Sequence, residues 1–152
     1  MWTHFDRRGL TLIELLVVVV IIGILATFAT PRIRRAMLRN EVISARNAMA
    51  NLYTTGRLNA TQTNRRVVFK RSGNVVWLEA WPRLTPLTGS SRDTLGQVVD
   101  LSDRHGVTVN VTGADSVAID PKGLGSNSVT WRVRRAEFID SIRVSSYGVI
   151  LR

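Results

Sequence analysis

The hydrophobic positions of this chain follow two patterns along its first 60 residues. Between Leu10 and Ala29, 16 of 20 residues are apolar, and Glu14 is the only charged one. Twenty residues is roughly the length that an α-helix needs to cross the ~30 Å hydrocarbon layer of a membrane. From Leu38 onward, apolar residues recur at spacings of three and four, which is typical of a helix with one buried face. We therefore predict one helix from Leu10 to about Gln62, with a membrane half and a half that packs on a domain.

The buried face of the second half is predicted from this spacing, with Met49 and Tyr53 as core contacts. The stripe comprises Leu38, Val42, Ala45, Met49, Leu52 and Gly56.

From Arg66 the pattern changes to short segments of alternating polarity separated by turn residues, as expected of antiparallel strands. The seven predicted strands are 66–70, 75–81, 107–111, 116–119, 128–133, 139–144 and 149–151. Residues 82–103, rich in Pro, Gly and Ser at their start, are predicted to form mainly a loop. The predicted fold class is α+β, a long N-terminal helix packed on an antiparallel β domain of about seven short strands.

The charge of the chain adds a second feature. It has 21 Lys and Arg against 11 Asp and Glu, a net charge of +10, and the segment from Pro31 onward alone accounts for that value. Such an excess indicates an anionic partner, whether nucleic acid, lipid headgroups or an acidic protein. The chain has no Cys, which excludes disulfides, Cys-based zinc sites and a thiol nucleophile.

The strand predicted around Trp131 concentrates this charge. Alternation places Trp131 and Val133 inward and Arg132 and Arg134 outward. The residues that could contact an anion are Arg132, Arg134, Arg135, Arg143 and Arg152, the last two if the final strands pair. The alternative is a solvated, arginine-rich face without a ligand.

No enzyme is predicted from this sequence. His105 is the only imidazole outside the first nine residues; Asp103 stands near it, but no nucleophile elbow accompanies them, so we expect a solvated loop histidine. Phosphate-binding glycine loops and paired-histidine metal motifs are also missing, and we predict no catalytic residue, metal site or cofactor.

Glu14 is the most informative residue of the apolar segment. A carboxylate within a membrane helix costs about 2.5–3.5 kcal/mol on insertion scales, so a functional role is the default interpretation. Either it reaches the interface or becomes protonated, or a cation at the same depth pairs with it. The free amino terminus of a neighbouring chain would serve as that cation.

The segment RRGLTLIELLVVVVIIGILATFATP resembles the class III signal of type IV pilins and pseudopilins. The resemblance implies that a prepilin peptidase cuts after Gly9 and methylates Leu10, a position where the family more often has Phe or Met. Thr11 and Glu14 match the positions used in assembly. Gly23 and Pro31 match those that weaken the helix. The implied organisation is a leader at 1–9, a transmembrane and assembly helix at 10–30, its amphipathic continuation at 31–62 and the β domain at 63–152.

The second half is similar to the H-type minor pseudopilins of type II secretion and to FimT-type minor pilins, through AIDPKGLGSNSVTWRV and SIRVSSYGVILR. The resemblance implies a structural subunit of a secretion pseudopilus. Its partners would be other pseudopilins or minor pilins, the peptidase, an inner-membrane assembly platform and the lipid bilayer. The alternative is a minor pilin that binds DNA during uptake. FimT-type pilins do so through a C-terminal Gly-Arg-x-Arg run, of which the stretch from Gly148 to Arg152 keeps the Gly and one Arg.

Two arguments disagree about which side of the membrane carries the β domain. Two arginines, Arg7 and Arg8, precede the apolar segment, and five follow it within about 17 residues, which predicts a cytoplasmic domain. The family resemblance implies the reverse, a single-pass inner-membrane protein with a cytoplasmic N-terminus and a periplasmic β domain. The resemblance outweighs the count, because long domains translocate largely regardless of charge. An anchored protein with a cytoplasmic domain remains a third hypothesis.

Overall fold

The computed structural model describes residues 11–81 and 93–151 and has two compact units, divided between Met37 and Leu38. Its architecture is α+β, with one long helix followed by short antiparallel strands. In chain order the elements are α1 (Leu12–Thr63), β1 (Val67–Ser72), β2 (Val75–Ala80), β3 (Asp93–Asp100), α2 (Leu101–His105), β4 (Thr108–Thr112), β5 (Ser116–Ile119), β6 (Val129–Arg135), β7 (Phe138–Val144) and β8 (Ile150–Leu151).

Helix α1 has a recognisable stop signal. It ends at Thr63, one residue beyond the predicted end, because Asn64 adopts a left-handed conformation with φ of 52°. The next amide, that of Arg65, donates to the carbonyl of Ala60 at 3.2 Å. This bond spans the left-handed residue as in a Schellman motif and satisfies one of the last helical carbonyls.

The strands form two four-stranded antiparallel sheets. The first has the order β3-β2-β1-β5 and the second the order β4-β6-β7-β8. The predicted hairpin around Gly73 is present, with Ser72 opposite Val75 across a two-residue turn. The final hairpin is present as well, since Arg143 lies opposite Leu151.

The prediction of a loop over 82–103 is wrong for its second part, and the described strands number eight rather than about seven. Strand β3 and helix α2 occupy residues 93–105. Strand β3 lacks the alternation of a half-buried strand because its side chains are exposed or only partly buried. Gly96 within it has a φ of 73°, and the register with β2 shifts between Val76 and Leu78. An irregular, solvent-facing strand of this kind leaves little hydrophobic pattern.

The core joins the second half of α1 to both sheets. Tyr53 of α1 contacts Phe69 of β1 with ring centroids 6.2 Å apart, and Phe69 contacts Trp131 of β6 at 4.7 Å. All three rings are fully buried, as is Met49. The predicted core contacts Met49 and Tyr53 and the inward positions Trp131 and Val133 are confirmed. Aromatic pairs at these separations contribute about 0.5–1.5 kcal/mol beyond the area they bury.

Candidate functional site

The candidate assembly site is the first turn of α1. Thr11 caps the helix, because its Oγ1 accepts a hydrogen bond from the Glu14 amide at 3.3 Å. Its carbonyl accepts from Leu15 N at 3.2 Å. The spacing Thr-x-x-Glu is that of a capping box, so the sequence itself contains the signal for this helix start. Thr11 therefore has a local structural role in addition to the assembly role implied by the resemblance.

Glu14 lies in this first turn and is exposed in the single chain. A carboxylate at this position interacts favourably with the unsatisfied amides and the dipole of the helix N-terminus, by about 0.3–1 kcal/mol. Thr11 therefore caps the helix start, and the helix N-terminus supplies a partial positive field to the carboxylate. Gly9 and Leu10, the residues expected to be cut and methylated, lie outside the described residues.

The surface around Glu14 is apolar on every side. Every residue from 11 to 30 is exposed, and the most apolar window of the helix has a mean hydropathy of 2.9 with none of it buried. By length and composition, this helix can cross a membrane. An apolar surface this large requires lipid or other helices around it in the cell.

Gly23 and Pro31 both lie inside α1, which is continuous through them. A Cβ added at Gly23 would meet no atom within 4 Å, so nothing in the single chain requires glycine there. Pro31 has no N–H to donate to the preceding turn. Helix weakening at these two positions stays a prediction.

A second candidate site is the outer face of the second sheet. The strand register aligns Arg134 of β6 with Thr108 of β4 and Ile139 of β7. A second row aligns Arg132 of β6 with Asn110 of β4 and Ser141 of β7. A third row aligns Arg143 with Thr112, Thr130 and Leu151. We call these ten side chains the arginine face.

The arginine face carries three guanidinium groups and several hydroxyl and amide donors. Arg132, Arg134 and Arg143 are exposed, and no carboxylate stands at any of the ten positions. Arg143 Nε donates to Thr130 Oγ1 at 3.4 Å, and Arg134 Nε to the Ala136 carbonyl at 3.2 Å. These bonds orient the Arg134 and Arg143 side chains and leave further N–H groups on both for an anion.

The structure separates Arg135 from the other candidate arginines. Strand alternation turns it to the opposite side of the sheet, where it is half-buried and its Nη1 donates to the His105 carbonyl. The same Nη1 lies 4.0 Å from Glu41 Oε2. Arg135 therefore joins β6 to α2 and α1, while Arg152 lies outside the described residues.

His105 is not the solvated loop residue that we expected. It ends the short helix α2, and its Nδ1 lies 3.1 Å from Glu41 Oε2. The α2 helix begins at the Asp100 cap, where hydrogen bonds from the Ser102 hydroxyl and then the Asp103 and Ser102 amides lower the pKa of the Asp100 carboxyl. The sequence did not reveal the contact between His105 and Glu41, because these residues are 64 positions apart.

Comparison with known proteins identifies an N-terminal motif and supports the fold. Residues 5–30 match the family model described as the prokaryotic N-terminal methylation motif. The structure is similar to that of the type IV minor pilin FimU of Pseudomonas aeruginosa in one crystal form, with a TM-score of 0.57, 14% identity, and 74% of this chain and 88% of that chain covered. For a second crystal form, the TM-score is 0.55 at 13% identity, with 71% and 89% covered. No curated protein matches the sequence significantly.

Proposed function

We propose that this chain, a pilin-like protein with an N-terminal methylation motif, is a minor pseudopilin of a type II secretion pseudopilus. It would be cut after Gly9, methylated on Leu10 and anchored in the inner membrane by a single pass, with its β domain in the periplasm. The observation that carries the proposal is the exposed apolar helix that presents one carboxylate, Glu14, on a capped first turn within the methylation motif.

The chemistry of Glu14 supports assembly through this helix. Cleavage after Gly9 creates a cationic amine on Leu10, four residues before the carboxylate. In a packed bundle, the amine of one chain and Glu14 of the next can pair where the dielectric is low. Removing one partner of a buried pair costs about 3–5 kcal/mol, because it leaves an uncompensated charge. The pair therefore fixes the register between neighbouring helices.

The processing step is tested by mass spectrometry of the chain extracted from membranes. We expect a chain that begins at Leu10 and carries one methyl group on its amine. Gly9→Leu abolishes this product, whereas Gly23→Leu, which changes a glycine away from the cleavage point, leaves it intact. A parent chain that retains Met1 through Gly9 would contradict the proposal.

The secretion role is tested by deleting the gene in its native host. We expect the substrates of the type II system to accumulate in the periplasm, and the parent gene to restore their export. Unchanged export together with lost DNA uptake would replace the secretion role with the second candidate below.

The second candidate is a minor pilin whose domain binds DNA, and the arginine face favours it. Three exposed arginines on neighbouring strands, among hydroxyl and amide groups and without a carboxylate, suit a phosphate backbone. Fluorescence anisotropy with duplex DNA and the domain from Pro31 onward tests this. We expect that changing Arg132, Arg134 and Arg143 to Gln makes the plot of log affinity against log salt concentration less steep. The slope falls by about 0.9 for each phosphate contact that is lost.

A matched control neutralises Arg66, Arg104 and Lys122, three exposed residues outside the arginine face. If both triple variants lose affinity equally, net charge rather than this face is responsible. No binding of the parent domain at low salt removes the candidate altogether.

A further inference from the structure

Three arginines occupy a single turn of α1 directly after Pro31. Arg32, Arg34 and Arg35 are exposed, and no Asp or Glu occurs between residues 15 and 40. This placement puts a concentrated positive charge at the end of the apolar segment. The charge does not belong to the arginine face, and the proposed assembly through Glu14 does not use it.

The hydrogen bonds near Pro31 indicate where the membrane surface lies. Thr27 Oγ1 donates to the Gly23 carbonyl at 2.9 Å and Thr30 Oγ1 to the Ala26 carbonyl at 2.7 Å, so both hydroxyls are satisfied within the helix. Pro31, however, has no N–H for the carbonyl of Thr27. A carbonyl without its helical donor is costly in hydrocarbon but is readily hydrated among headgroups. The headgroup layer therefore fits the turn that contains Pro31 and the arginines.

The side chains between the arginines favour lipid over nucleic acid as the anion. At about 100° per residue, Arg32, Arg34 and Arg35 cover nearly half of the helix circumference, and Ile33 and Met37 lie together on the remainder. Ile33 is 54% exposed and Met37 62% exposed. Exposed apolar side chains beside arginines suit the boundary between headgroups and acyl chains, whereas they gain nothing beside a sugar–phosphate backbone.

We infer that Arg32, Arg34 and Arg35 bind the headgroups of anionic phospholipids in the leaflet from which the domain emerges. The inference rests on the membrane anchoring in the proposed function. Each arginine near an anionic surface strengthens binding about fivefold, so the three together contribute on the order of a hundredfold. They hold the subunit at a fixed depth until assembly draws its helix into the fibre.

Titration of the detergent-solubilised full chain with dioctanoyl phosphatidylglycerol tests the inference. The chain has no Cys, so Ala36→Cys provides a unique site for an environment-sensitive dye beside the arginines. We expect a saturable signal with phosphatidylglycerol and none with dioctanoyl phosphatidylcholine. Changing the three arginines to Gln raises the half-saturating concentration on the order of a hundredfold. Changing them to Lys largely preserves it.

Three results would overturn the inference. One is an equal response to phosphatidylcholine, which would show that the headgroup charge is irrelevant. Another is an equal response to inorganic phosphate, which would identify a free-anion site. The last is an equal loss of affinity when Arg66, Arg104 and Lys122 are changed to Gln, because net charge alone would then explain the effect.

A second probe separates this inference from the anchoring on which it rests. A dye at Val20→Cys in vesicles is quenched by lipid-attached quenchers if the apolar segment spans the membrane. Quenching at residue 20 without a phosphatidylglycerol response at residue 36 overturns only the headgroup site. Absence of quenching at residue 20 overturns both the anchoring and the site.

Discussion

Tyr53 is fully buried between α1 and the sheets, and its hydroxyl group makes no hydrogen bond within the described residues. Burial raises the pKa of this phenol, and the nearby Arg57 charge opposes the shift only in part. We predict that Tyr53→Phe raises the free energy of unfolding by about 1 kcal/mol, because it removes a buried polar group without creating a cavity. Chemical denaturation of the domain measures this. Tyr147→Phe, at an exposed ring, serves as the control, and a destabilised Tyr53→Phe domain would contradict the prediction.

Position 148 requires a glycine because of its backbone conformation and because there is no room for a side chain. Its φ is 72°, and a Cβ there would clash with the Gly123 carbonyl oxygen. Gly148→Ala should lower the free energy of unfolding by more than the ~1–3 kcal/mol of backbone strain alone. Gly73→Ala is the matched control, with a φ of 60° and no atom within 4 Å of the added Cβ. Equal losses in the two variants would show that the contact with Gly123 is unimportant.

At the residue scale, the sequence predicted the side-chain orientations that strand alternation and helical spacing determine. Trp131 and Val133 face inward as predicted, and Arg132 and Arg134 are exposed. The same alternation turns Arg135 to the inner side, although charge alone had grouped it with its neighbours. Its contacts with Glu41 and the His105 carbonyl depend on distant elements that no local pattern encodes.

At the element scale, the strands that were predicted are those with an apolar face toward the core. Strand β5 has the predicted bounds, and β7 begins one residue early. Strand β3 was missed because it contributes little buried surface and contains a left-handed glycine. Helix α2 was missed because five residues are too few for a helical period, so its cap and its C-terminal Gly106 define it.

The cap of α2 gives this element a pH dependence. Because the pKa of Asp100 is lowered in the folded domain, its contribution to stability is present above the ordinary aspartate pKa of 3.8 and is lost as pH falls through the folded value. We predict that Asp100→Asn is less stable than the parent at pH 7 and that the two converge in strong acid. Thermal unfolding from pH 7 to pH 2 measures this. Parallel curves over the whole range would contradict it.

At the scale of the whole molecule, the two units differ in how much of their apolar surface is buried. The unit from Leu38 contains the buried aromatic core and both sheets, whereas residues 11–30 are exposed throughout. We predict that the chain from Pro31 onward folds cooperatively in water without the apolar segment. Circular dichroism during thermal unfolding checks this, with a single transition expected. A chain that melts without a transition would show that the membrane segment is needed for folding.

At this scale, the residues behind the net charge of +10 can also be assigned to separate surfaces. Part of it lies on the arginine face and part in the turn after Pro31. Ion pairs such as Arg46 with Asp140 at 2.9 Å and Arg71 with Asp115 at 2.5 Å add nothing to it, because each arginine there is matched by a carboxylate. The sequence predicted an anionic partner from the total alone. The strand register and the cross-element pairs, which assign each arginine to a surface, depend on the tertiary fold.

The most direct test of assembly through the capped helix is the amount of a Glu14→Ala variant in sheared fibres, relative to its amount in the membrane. The variant retains the apolar segment, so we predict normal membrane levels and at least a tenfold loss from fibres, consistent with an uncompensated neighbouring amine. Asp103→Ala, at an exposed carboxylate in α2 and outside the apolar segment, should assemble like the parent. A Glu14→Ala subunit that enters fibres at the parental level would contradict the account.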